Sequence, residues 1–467
     1  MLNPATIYSL LGLTAASARA FFNRLLAPPS MNLLHRDEPE LDCDVRAERR
    51  LWTLPVAPSI KAAPYEGAEI LEELRTDFGL FLWQALRDTL LWASCDPAQR
   101  GDLFSPTAEQ ISRSVHSLAS ELTLENAVTT LARLTREPGI VTAHEVARGC
   151  VQVSEWAARQ GLAATEVQFA EAAALIFPTR PEMALLAGRA ARRHAAYERG
   201  VQWFMRSLAL ARRANDRAAY TLTLIRWGTL ELQRSRLDHA RRLFVRAWKA
   251  AKRYKLRRLG AFARHDLLVL GYETATFGEG LRHAEAAFQL YGPRNSRIPY
   301  LTHDVGFLCM HHGYFSAALP LFSAVLPFVM HPSERVQVFG HLARTLGALN
   351  IERGFEEAAD YVAAEIKPTY PNAAATLLYV ARGAASVGQR GRARSLAGEA
   401  LALSESRAEK SVTALATRFI DALNTRQTSA VERDSEPPEA VSEFAPRLLR
   451  RLGKLSPSGL AESQEAD

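Results

Sequence analysis

The feature that most restricts what this chain can fold into is a spacing that recurs. Between Pro181 and Asn215, small or bulky apolar residues stand at Gly188, Tyr197, Gly200, Phe204 and Leu208. Between Thr221 and Arg258 the same places hold Gly228, Leu237, Ala240, Phe244 and Trp248. Between Pro299 and Phe328 they hold Gly306, Phe315, Ala318, Phe322 and Leu326. In each unit the second small residue follows the first by 12 positions, and an aromatic follows 4 later. Apolar spacing of i, i+3, i+4 and i+7 within each half, with turn-forming residues between halves, reads as two helices and a short turn. The small residues let the helices cross closely, and the aromatics fill the space between them. A single pair of this kind cannot bury its own apolar face, so the units must stack.

This order of small and aromatic positions resembles the tetratricopeptide repeat. The resemblance covers roughly residues 140–425. Three units match well; those near 261–291, 339–366 and 374–404 match loosely, with Leu268 at the first small position and Ala284 in place of the aromatic. The step from Gly188 to Gly228 is about 40 residues, longer than the family's usual 34, and is similar to the longer-helix kind found in maltose-regulator-type transcription activators. The resemblance implies an all-α fold, a helical-hairpin repeat solenoid wound as a right-handed superhelix, whose concave groove binds a peptide or helix of a partner protein.

Around the repeats, the chain divides by composition. Residues 1–60 carry five prolines after a first short apolar stretch and read as a low-order leader. Tyr8–Ala20 has a signal-like apolar core and small-x-small ending, but no basic segment before it; an amphipathic N-terminal helix and an export signal are its two readings. Residues 61–140 carry helical spacing from Ile70 to Leu90 and again from about Thr107 to Arg136, and form a helical N-terminal cap or atypical repeats. Residues 141–425 are the repeat solenoid, closed by Ala408–Thr425. Beyond Gln427, Ser, Glu and Pro predict a disordered tail over 426–467. Within it lies a short basic amphipathic segment at 444–455, a solvated helix or a docking peptide.

Charge is the second guide. The chain carries +7, yet the window Arg234–Arg258 alone carries 11 Lys/Arg against Asp238, leaving the other residues at −3. On a helical wheel, Leu237, Leu243, Phe244, Ala247, Trp248, Ala251 and Tyr254 share one side with Ala240. Arg241, Arg242, Arg246, Lys249, Lys252 and Arg253 share the other, the convex side if this is a second repeat helix. Like charges on one face repel unless acids at i+4 relieve them. The stripe is either a solvated face or a site for an anionic partner: an acidic protein surface, nucleic acid phosphates or lipid head groups. Asn and Gln are absent from it, so it offers no base readout.

A further recurrence is His265-Asp266 and His303-Asp304, 38 residues apart, with Phe262 and Tyr300 three positions ahead of the histidines. In tetratricopeptide-like proteins the fifth position of a first helix lines the groove, so Phe262, His265, Tyr300, His303 and Phe307 are its candidate residues. Hydrogen-bonded histidines spanning repeats are the structural alternative. A metal-dependent hydrolase using His-Asp pairs would need further ligands on other helices. Val141–Leu162 lacks the turn of a DNA-binding helix-turn-helix. Arg148 stands where a zinc-protease motif beginning at His144 needs its second histidine. No phosphate-binding loop, dinucleotide fingerprint or nucleophile elbow occurs. No catalytic, cofactor or metal residues are therefore assigned. Cys43, Cys95, Cys150 and Cys309 are too scattered for a disulfide framework and read as small apolar groups of a reducing compartment. No apolar run reaches the ~20 residues of a spanning helix.

The sequence thus points to a non-catalytic cytoplasmic scaffold or adaptor. Its alternative is the ligand-sensing or effector module of a bacterial regulator.

Overall fold

A computed structural model describes residues 67–104, 124–274, 277–407, 409–425 and 431–455. The leader, the Tyr8–Ala20 stretch, residues 107–123 of the second cap helix and the ends of the tail lie outside the described residues. Within them the chain is all-α, built from helical hairpins in succession. Two compact units divide it, one ending at Ala263 and one beginning at Arg264, so the boundary falls inside a helix rather than between the cap and the repeats.

The first unit holds α1 (Glu69–Glu73), α2 (Asp77–Ser94), α3 (Glu125–Arg136), α4 (Ala143–Gln160), α5 (Ala163–Ile176), α6 (Pro181–Arg193), α7 (Tyr197–Ala214), α8 (Arg217–Gln233) and α9 (Leu237–Arg253). α10 (Arg257–Thr274) carries the chain into the second unit. The predicted cap does not stand apart. Ile70, Leu86, Trp92 and Leu131 share one buried core with Val146, Cys150 and Phe169 of α4 and α5. α4 starts on a capping box, with Thr142 and Glu145 each satisfying the other's free N–H, and ends on left-handed Gly161.

The repeat spacing is realised as direct contact. A Cβ built on Gly228 would stand 2.5 Å from the ring of Phe244, and one on Gly188 2.7 Å from Phe204. Phe204 and Phe244 are fully buried, so each glycine is the space its hairpin's aromatic ring occupies. Two buried carboxylates within this packing are paired. Buried Glu171 accepts from Trp203 Nε1 at 2.8 Å and pairs with Arg199; buried Glu166 takes Arg193 and His194.

The second unit continues with α11 (Phe277–Tyr291), α12 (Ile298–His311), α13 (Phe315–Val325), α14 (Pro332–Ala348), α15 (Glu352–Glu365), α16 (Ala373–Ser386), α17 (Arg390–Ser406) and α18 (Lys410–Asn424). Gly306 faces the Phe322 ring in the third well-matched unit, its added Cβ falling 3.1 Å away. The loosely matched unit keeps the volume by exchange: Leu268 and Ala284, both fully buried, reverse the usual small–large order. α14 and α16 approach through glycine as well, a Cβ on Gly347 lying 2.5 Å from Gly383.

Part of the segment predicted as a disordered tail is structured. Val431–Pro438 forms a non-helical strap, and α19 (Glu439–Leu452) packs on α11, α12 and α13. Val441, Phe444, Leu448 and Leu452 are buried. Phe444 meets Phe288 edge-on at 5.4 Å, and Arg451 donates to the Phe288 carbonyl at 2.6 Å. Polar composition predicts disorder because such a chain cannot bury enough apolar surface alone. Here the solenoid supplies the other half of the interface.

Candidate functional site

Two places collect chemistry, one in each unit. In the first, α9 presents the sequence-predicted stripe. Arg241, Arg242, Arg246, Lys249, Lys252 and Arg253 are all exposed, and Ala240, Leu243, Phe244, Ala247 and Ala251 are buried. Packing then adds what a helical wheel cannot show. Arg246, Lys249 and Arg253 line an open cleft together with Arg212 from the end of α7 and Arg217 and Tyr220 from the start of α8; Tyr254 completes it, and no acidic residue lines it. Arg212 and Arg246 lie against the Tyr220 ring at 5.4 and 5.6 Å, and Arg217 and Arg253 against Tyr254 at 4.8 and 5.6 Å. The tyrosines thereby hold the guanidiniums together over aromatic surface. Arg212, Arg217 and Tyr220 carry no periodic signal in the sequence, and the helical wheel gives Tyr254 to the apolar face. They reach the cleft only because three helix ends meet.

In the second unit, α12, α14 and α16 converge on one face. Phe307 of α12 lies 6.1 Å from Tyr379 of α16, two hairpins further on, and His341 of α14 stands between them at 5.1 and 5.0 Å from the two rings. Side chains from the first helices of three successive hairpins thus meet on one face.

The predicted groove residues divide around this face. His303 and Phe307 sit on it, half-buried. His265 is enclosed at 6% exposure, with both ring nitrogens engaged, Nδ1 with the Tyr291 hydroxyl at 2.9 Å and Nε2 with Asp304 at 2.8 Å. It is enclosed in the helix packing and not presented on this face. Tyr300 is half-buried, with Arg297 over its ring at 5.6 Å. Phe262 is buried in the first unit.

Asp304 is the hub of the polar chain. Burial pushes its carboxyl up, but the hydrogen bonds from His265 and His303 outweigh this and hold it well below the usual carboxylate range. A carboxylate only accepts, so the proton order follows. His265 Nε2–H and His303 Nδ1–H, at 2.8 and 2.9 Å, donate to Asp304. His265 Nδ1 shares a hydrogen bond with the Tyr291 hydroxyl at 2.9 Å, and His303 Nε2 shares one with His341 Nδ1 at 3.2 Å. Burial first, then the charges of His303 and Arg344, hold fully buried His341 well below the usual imidazole range. Its Nε2 has no partner. Both histidines of the recurrence thus converge on Asp304. Among the described residues no group of three or more His, Cys, Asp or Glu has the arrangement to hold a metal ion.

Next to this chain lies the most heavily bonded ion pair of the face. Buried Arg344 of α14 donates twice to Glu432 of the strap, at 2.8 and 2.7 Å, and Arg382 of α16 adds a third bond at 3.1 Å. Arg344 packs over Tyr379 and Phe315. Glu432 N–H donates to Ser386 Oγ, Ser435 N–H to the Gly313 carbonyl, and Ser316 N–H to the Asp434 carboxylate, at 3.1, 2.9 and 3.0 Å. Sequence reasoning missed Arg344, Arg382 and Glu432. No local pattern links residues this far apart in the chain.

Cys150 and Cys309 are buried packing groups. Burial pushes the Cys150 and Cys309 thiols up to about 12, leaving them protonated. No helix among the described residues is long and apolar enough to cross a membrane.

No protein-family model matches the chain, and no curated protein matches it. Among solved structures it is similar to a Rap protein complexed with Competence and Sporulation Factor, at 12% identity over 78% of this chain and 99% of that one, TM-score 0.38. It is also similar to BtubC (BKLC) from P. vanneervenii, at 15% identity over 48% of this chain and 89% of that one, TM-score 0.35. A putative kinesin light chain from Podospora anserina with nearly identical TPR-like repeats gives 12% identity over 50% and 98%, TM-score 0.29. These are distant likenesses. The tetratricopeptide-like character of the hairpins stands on the glycine–phenylalanine contacts described above.

Proposed function

We propose that this chain is a non-catalytic interaction scaffold that takes a segment of a partner protein on the face where α12, α14 and α16 converge. One observation carries the reading: that face already receives a non-helical piece of polypeptide, the chain's own Glu432–Ser435, through two arginines, a serine and main-chain groups. The supports belong to rigid elements. Arg344 and Arg382 project from packed helices, and their neighbours Phe307, His341 and Tyr379 are fixed by ring contacts. A site of this kind recognises a peptide through charge and main-chain bonding, and needs no reactive group.

The cleft on α9 is a second surface in this reading. Five basic side chains without an acidic one suit an anionic partner, and the cation–π contacts favour phosphate or carboxylate recognition over base stacking. The face of α12 to α16 is tested by photocrosslinking in the full-length protein. A photoreactive residue at Phe307 or Tyr379 should capture a partner segment that the same residue at Lys252 does not. Capture at all three positions alike, or at none, removes the groove reading.

A further inference from the structure

The strap is a poor tenant of a strongly charged site, and this is what makes it informative. Two guanidiniums face one carboxylate at Glu432, so the site keeps a positive charge after the strap has bound. Arg344 and Arg382 are only 6% and 24% exposed, where screening by water is weak. Arg382 Nε and His341 Nε2 are enclosed and unpartnered. An enclosed donor or acceptor without a partner costs stability, and a ligand that supplies one recovers it.

The strap also contributes little burial. Arg433, Asp434, Ser435 and Glu436 are exposed, and no residue from Val431 to Pro438 is buried. Its hold is therefore the Glu432 anchor and a few main-chain bonds. The stable attachment comes later, at α19, where Phe444, Leu448 and Leu452 enter the core. The strap can thus leave the face while α19 stays docked.

We propose that Val431–Pro438 is a tethered, displaceable occupant, and that the groove's ligand in trans is an extended acidic segment of another protein. Such a segment places one carboxylate on Arg344 and Arg382 and a second, two residues on, at the Ser316 N–H. The pattern is set by the strap itself. Glu432 and Asp434 are two apart, the spacing that puts side chains on one side of an extended chain, and each reaches a different anchor. The inference rests on the groove reading above and adds the partner's chemistry and the competition. A tethered occupant lowers the apparent affinity for a ligand in trans by the fraction of molecules in which the groove is free.

The test uses the full-length protein and a fluorescein-labelled peptide with the strap sequence from Val431 to Pro438, read by anisotropy. Glu432→Gln removes the anchor; Asp434→Ala with Ser435→Pro, which removes the N–H given to the Gly313 carbonyl, loosens the strap independently and leaves every groove residue in place. Both released proteins should bind the peptide about tenfold or more tightly than the wild type, since a charge-assisted pair is lost only in cis. Adding Arg382→Gln to either should remove about tenfold. The same peptide with Gln in place of Glu432 and Asn in place of Asp434 should fail to bind. Equal binding by wild type and both released proteins overturns the competition and leaves the groove reading standing. Equal binding of the acidic and amide peptides overturns the carboxylate recognition. Absence of binding to every protein overturns both proposals.

Discussion

Replacing Gly228 by Ala probes the contact on which the repeat is built. The added methyl would sit 2.5 and 2.7 Å from two carbons of the Phe244 ring, where carbon atoms prefer ~3.5–4.0 Å. Phe244 is fully buried beneath neighbouring helices and can move away only by displacing other core side chains. Overpacking of this kind costs about 1–3 kcal/mol. Ala gains about 1 kcal/mol over Gly in a helix interior, so the net expectation is a loss of up to about 2 kcal/mol. Phe244→Leu clears the ring and is destabilising alone, by less than the ~3–5 kcal/mol of a Phe→Ala change. In that background Gly228→Ala should become neutral or stabilising, a coupling of about 1 kcal/mol or more. Repeat stacks need not unfold as one unit, so the measurement is native-state hydrogen exchange on the amides of α8 and α9. The same change should hurt Gly188 comparably, at 2.7 Å from Phe204, and Gly306 less, at 3.1 Å from Phe322. If Gly228→Ala costs the same with Phe and with Leu at position 244, within about 0.5 kcal/mol, the glycine does not serve the ring and the packing account fails.

Other outcomes follow from the same geometry. Ala195 and Lys255 occupy left-handed turn positions at φ 58°; such a residue pays ~1–2 kcal/mol and glycine pays back part of it in the unfolded chain, so Ala195→Gly or Lys255→Gly should raise stability by up to about 1 kcal/mol in urea titrations, and Asn215→Gly, at φ 59°, by less. His341 stays neutral in the folded protein, whereas the unfolded chain takes up a proton below about pH 6.5; stability should therefore fall as pH drops through that value. His341→Gln should flatten that slope, most cleanly in a Glu334→Gln background, because burial pushes the Glu334 carboxyl up to about 7 and gives it the opposite slope. Changing Arg241, Arg242, Arg246 and Lys249 to Glu should leave the far-ultraviolet circular dichroism unchanged. It should also abolish salt-dependent binding of a single-stranded oligonucleotide used as a polyanion probe; unchanged binding removes the role given to the stripe. Phe444→Ala should cost about 3–5 kcal/mol locally and expose the amides of α19 to exchange.

The division between what was legible in the sequence and what was not follows the range of the interactions involved. Helix periodicity, the small–aromatic recurrence and the basic face of α9 are local patterns, because residues three and four apart share a helix face whatever the rest of the chain does. They determined the all-α repeat architecture, the contact of Gly188, Gly228 and Gly306 with their phenylalanines, and the exposure of Arg241 to Arg253. His265 and His303 were visible as a recurrence. Their roles were not: whether a histidine lines a groove or is enclosed in the helix packing depends on the partner reached from another hairpin, here Asp304 for both.

The same limit explains the C-terminal segment. By composition Val431–Leu455 has too little apolar surface to fold alone, and the local argument ends there. Only the assembled stack offers Phe444 a hydrophobic seat and gathers Arg344 and Arg382 where one carboxylate can reach both. The sequence determined which helices form and how each pair closes. The tertiary structure decided which polar side chains meet, since a buried charge is placed by the partner that neutralises it and not by its neighbours in the chain.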